Sequence, residues 1–125
     1  MKYHDFHLRG YSVSDFGKTI RLDLVWNYPN SSKEESVIEF SDVAVYNFIH
    51  TGGAIITGIV PTALSKLPEK LDDDLVEWAR KHGGLILFED SLEACKARLE
   101  EDGYKAWTIS SAIGFEGLVI AKDAK

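Results

Sequence analysis

The sequence predicts an α+β fold: a mainly antiparallel sheet of hairpins with two helices packed on one face. Three observations carry this. Residues 1–60 alternate apolar and polar side chains and offer no crossover helix, which argues against a parallel doubly wound sheet. Residues 61–103 switch to apolar positions three and four apart, and residues 104–122 return to extended patterning. With no internal repeat and no Pro, Gly or Ser linker, the 125 residues read as a single domain, 1–125, built of these three parts.

The surest strand is Thr19 to Tyr28, where Ile20, Leu22, Leu24, Trp26 and Tyr28 hold one face. Before it, Phe6 and Leu8 share one parity and Tyr11 and Val13 the other, with Gly10 at the slip, which predicts a β-bulge. Asp15-Phe16-Gly17-Lys18 supplies turn chemistry, so these two strands form an antiparallel hairpin. A polar loop, Pro29 to Glu35, precedes an extended Ser36 to Phe40. Asp42 to Ile49 is rich in β-branched and aromatic residues and reads as strand, against the alternative of a short helix capped by Ser41 or Asp42. Thr51-Gly52-Gly53 reads as a tight turn, giving a second hairpin from Val43 to Val60.

After Pro61 the chain is expected to turn helical. Leu71, Leu75, Trp78, Ala79 and His82 form the apolar face of an amphipathic helix that Gly83-Gly84 ends. Leu85 to Phe88 is a candidate short strand. Asp90, with Glu93 three residues on, predicts the capped start of a second helix with Leu92, Cys95 and Leu99 on one face and Gly103 as its stop. Tyr104 to Ile113 and Leu118 to Lys122, on either side of Gly114-Phe115-Glu116-Gly117, read as a terminal hairpin.

Asp and Glu number 20 against 14 Lys and Arg, a net charge of -6, which argues against nucleic acid as a partner and against an anionic membrane surface. The excess is local. Residues 69–102 hold 11 acids and 5 bases, against 9 of each elsewhere. Asp73, Asp74 and Glu77 on the first helix are therefore the candidate contacts for a basic protein partner. The run Asp72-Asp73-Asp74 is not read as a metal site, because consecutive helical side chains point about 100° apart.

His4, Asp5, His7 and His50 are the alternative candidates, as an acid-base or ligand pocket between sheet and helices, with Asp5 or Asp42 as the carboxylate. His4 and His7 are an odd number apart, so on a strand they face opposite ways, and no metal site is expected. Thr51-Gly52-Gly53 lacks the Gly-Lys-Ser/Thr of a phosphate loop, and no serine sits in a Gly-x-Ser-x-Gly elbow. No catalytic residue and no cofactor is assigned. Cys95, the only cysteine, lies on an apolar helix face and is expected to be buried; a lone thiol and the absence of an apolar leader point to the cytoplasm.

The opening His4-Asp5, the strand pair that follows it and the Ile38-x-Phe40-x-x-Val43 step resemble small uncharacterised bacterial domains, some of them immunity proteins of toxin systems. The resemblance covers residues 1–60 and implies a non-catalytic protein that masks a partner; it transfers no catalytic residue. A third reading is a structural subunit whose exposed strand edge pairs with a second copy as a homodimer.

Overall fold

Hydrophobic alternation in the first half builds a three-stranded meander. The structure, a computed structural model, describes residues 3–82 and 91–125, and of residues 78–82 and 92 the backbone alone. Strands β1 (His7–Ser14), β2 (Thr19–Trp26) and β3 (Glu34–Ser41) pair antiparallel in sequence order. Ile20, Leu22 and Leu24 are fully buried, as the period of two requires. The β1–β2 register slips between Leu8 and Gly10, which makes Arg9 the extra residue of the predicted bulge. Asp15, Phe16 and Gly17 turn the hairpin through left-handed backbone and leave the Phe16 ring fully exposed at its tip.

The second half departs from expectation. Val45–Thr62 is one strand, β4, and Lys105–Ala121 is one strand, β5. Neither contains a hairpin turn. The two pair with each other along nearly their whole length, from Val45 opposite Ile120 to Thr62 opposite Ala106. Thr51-Gly52-Gly53 and Gly114-Phe115-Glu116-Gly117, read as turns, are the two sides of one irregularity in this ribbon. Between the pairs His50–Phe115 and Ile55–Ile113, four residues of β4 face the single residue Gly114 of β5. A surplus of that size bends a strand pair sharply. Ser111 braces the bend: its hydroxyl accepts from the Phe115 N–H at 3.1 Å and donates to the Phe115 carbonyl.

β4 also pairs with β1 at His7–Leu8, and a two-residue strand, β6 (Asp123–Ala124), pairs with β3. Since β6 follows β5 directly, the sheet order β5-β4-β1-β2-β3-β6 curls round until its ends meet. Backbone bonds from Ala44 N–H to the Ile120 carbonyl and from Lys122 N–H to the Ser41 carbonyl complete the seam. Inside the curl lies the larger core, including Leu8, Phe40, Ile56, Ile109 and Val119.

Two helices cover the outer face of β4 and β5. The strand reaches past Pro61 to Thr62, and a short 3-10 turn (Leu64–Lys66) intervenes before α1 (Glu69–His82), so helix begins later than expected. The Pro68 carbonyl accepts from Leu71 and Asp72, opening the first turn. α2 (Leu92–Glu101) is capped by Ser91, whose hydroxyl accepts from the Ala94 N–H at 3.1 Å; Ser91 therefore fills the role expected of Asp90, which lies outside the described residues together with the candidate strand Leu85 to Phe88. Gly103 ends α2 as predicted, at φ +94, with its N–H on the Glu100 carbonyl and that of Tyr104 on the Leu99 carbonyl. Leu71, Leu75 and Leu99 pack with Val45, Leu118 and Ile120 in a second cluster, and Cys95 is buried as expected.

Two tests follow from this geometry. A Cβ on Gly114 would sit 2.2 Å from the Gly53 carbonyl oxygen at φ +84, whereas one on Gly53 meets nothing within 4 Å. Gly114→Ala should destabilise the fold by about 2 kcal/mol or more in urea unfolding, and Gly53→Ala by less than about 1 kcal/mol; equal losses would show that the close approach is not what fixes the bend. Arg9, thrown out at the bulge, reaches Glu35 of β3 at 2.9 Å. Its hydrogen bond, then its charge and that of Lys33, holds the Glu35 carboxyl below its ordinary range. A lowered folded-state value means that the pair stabilises the fold above the carboxylate range and that this is lost as pH falls through it. Arg9→Ala should raise the Glu35 titration midpoint in carboxyl NMR, and an unmoved midpoint would count against this pairing.

Candidate functional site

Four-residue spacing on α1 sets Glu69, Asp73 and Glu77 in one exposed stripe. The three neighbouring aspartates have three different surroundings. Asp73 is exposed on the stripe. Asp72 points to α2, where Lys96 Nζ lies 3.0 and 3.1 Å from its two carboxylate oxygens. Asp74 turns the other way, towards the sheet. Of the expected docking residues, then, Asp73 and Glu77 share a face, Glu69 joins them, and Asp74 sits at its border.

The Asp72–Lys96 pair locks the helices together. The Lys96 side chain is 6% exposed and that of Asp72 19%, so both charges are largely withdrawn from water, with Glu93 a further 4.0 Å contact at the rim. No spacing in the sequence signals this pair, because the two residues are 24 apart and either one alone looks like an ordinary solvated helix position.

Asp74 borders a cleft between α1 and the β4–β5 ribbon. Leu71 and Leu75 form its helical wall and Leu118, with Asn47, Thr108 and Ser110, its sheet wall, around a cavity of about 120 Å³. Glu116 stands at the mouth opposite Asp74. Lys70 Nζ lies between them, 3.9 Å from Asp74 and 3.7 Å from Glu116. Glu116 belongs to the segment read from sequence as a turn, and its place here follows from the bend in β5.

The histidines take separate positions. His4 Nδ1 lies 3.3 Å from Asp5, both side chains about half exposed. His7 packs its ring 4.9 Å from that of Tyr28, and its Nδ1 is buried without a hydrogen-bond partner. His50 is exposed on β4, its ring neighbours Tyr11 at 5.9 Å and Phe115 at 5.5 Å. Asp42 is exposed on the β3–β4 connection, at φ +52. Among the described residues no group of three or more His, Cys, Asp or Glu is placed to hold a metal ion, and no helix is long and apolar enough to cross a membrane.

Comparison of the chain with protein-family models, with curated proteins and with solved structures finds no match. The fold and the acidic helical layer define the class of the molecule: an α+β protein in which a curled antiparallel sheet carries two helices on one face.

Lys96→Ala strands the Asp72 carboxylate between the helices and should destabilise the protein by about 2 to 4 kcal/mol, whereas the paired change Asp72→Leu with Lys96→Met should cost less than about 1 kcal/mol. Thermal or urea unfolding of both variants checks this. A mild single variant would show that water reaches the pair.

Proposed function

We propose that this protein is a non-catalytic interaction module that binds a basic protein through its acidic helical face. One observation carries the reading: the entire charge excess lies in residues 69–102, and α1 presents part of it as the exposed stripe Glu69, Asp73 and Glu77. Charge gathered on one layer of a molecule whose remainder is neutral steers an oppositely charged partner to that layer. The filled interior of the curl supports the same reading, because its apolar residues pack together into one buried core. The resemblance of residues 1–60 to bacterial immunity domains extends the proposal to a cytoplasmic protein that masks its partner's working surface.

The test is capture from the source cells, identification of a basic protein whose recovery falls with salt, and a purified binding assay against that protein. Reversing Asp73, Asp74 and Glu77 to Lys should weaken this binding by at least about tenfold, as expected when several attractive pairs become repulsive. Circular dichroism should show the fold retained. Unchanged binding by the reversed variant, or a measured turnover with no basic partner recovered, would defeat the proposal.

A further inference from the structure

We propose that the cleft between α1 and the β4–β5 ribbon is a binding site for an alkylammonium group, namely a lysine side chain presented by the basic partner. This deepens the function proposed above and rests on it for the identity of the partner. Leu71, Leu75 and Leu118 give the interior of the cleft a mainly apolar lining, with the polar Thr108 and Ser110 on the sheet side, and a cavity of about 120 Å³ belongs to the size class in which apolar cavities take up small hydrocarbons. Its mouth carries carboxylates on opposite sides, Asp74 from the helix and Glu116 from the strand. A ligand that satisfies both ends has a short aliphatic body and a positive head. An anion would meet two carboxylates, and a neutral hydrocarbon would leave both without a new partner.

Lys70 shows that the head position suits a primary ammonium. Its Nζ sits between the two acids at distances too long for hydrogen bonds, so the charge is shared and loosely held. Its side chain is 72% exposed, so the stem runs through solvent and leaves the mainly apolar interior unfilled. An incoming lysine can place its methylenes against Leu71 and Leu118 and its ammonium between Asp74 and Glu116, displacing Lys70 to water. An exposed ion pair between residues four apart on a helix adds little, so Lys70 is a weak competitor.

The probe is hexylammonium, with hexanol as its neutral counterpart, titrated into the full chain and followed by amide NMR. Hexylammonium should shift the amides of Thr108, Ser110 and Gly117, which line the cleft, in a saturable way, and hexanol should bind several-fold more weakly. Lys70→Gln removes the competing cation and should tighten hexylammonium binding about twofold; Asp74→Asn with Glu116→Gln should weaken it at least about threefold. Glu34→Gln, exposed on β3 and outside the cleft, should leave it unchanged. Absence of saturable shifts, equal affinity for hexanol, or indifference to both the Lys70 and the Asp74/Glu116 variants would overturn the inference. Because the probe is a small amine, its failure leaves the acidic-face reading to the charge-reversal experiment. Failure of that reading with hexylammonium still bound would keep the amine site and remove the partner.

Discussion

The backbone of β5 passes so close to that of β4 at Gly114 that a single added methyl group would overlap the Gly53 carbonyl. Most of the architecture hangs on that approach. With four residues on one strand against one on the other, the long ribbon cannot stay flat, and its two halves point in different directions. One half, around Ile56 and Ile109, closes over the inside of the curl. The other carries β5 onward to β6 and so to β3, joining the ends of the sheet. The bend also sets Glu116 across from α1, where it helps to form the mouth of the cleft. Glycine is needed here for two separate reasons, the positive φ and the missing side chain, and either alone would exclude most residues.

The sequence shows its strands and helices more readily than it shows their connections. β2 is legible because Ile20, Leu22, Leu24 and Trp26 recur at every second position, and the bulge at Gly10 is legible because the phase of that alternation changes there. The glycines of β4 and β5 are harder. A glycine pair in an extended segment marks either a reversal of the chain or a corner within it, and the choice depends on which segment pairs with which. Here the deciding contact joins Gly53 to Gly114, far beyond any local window. The acidic layer was visible in a segment count because net charge is local information. Its internal arrangement was not: Asp72, Asp73 and Asp74 are alike in sequence, and only the helices and strand packed around them make one a buried partner, one a surface charge and one the rim of a cleft.

Charge on this molecule is sorted by depth as well as by layer. Lys96 and Asp72 face each other in the seam between the helices, where a carboxylate and an ammonium each depend on the other. Outside that seam Glu69, Asp73 and Glu77 of α1 and Glu93 and Glu101 of α2 are exposed, where dissolved salt screens them. The buried pair fixes the spacing of the two helices, and through it the shape of the surface on which the exposed acids are displayed.

The last residues of β5 serve two interiors at once. Val119 and Ala121 point into the curl, and Leu118 and Ile120 point out beneath the helices, so the segment is buried on both faces. A strand that lines two cores is their common wall. Lifting the helices away would bare one side of it, and opening the sheet would bare the other, so neither layer can loosen without weakening the support of its neighbour. The sheet and its helical layer are therefore coupled through one strand, and local opening of either draws on the packing of both.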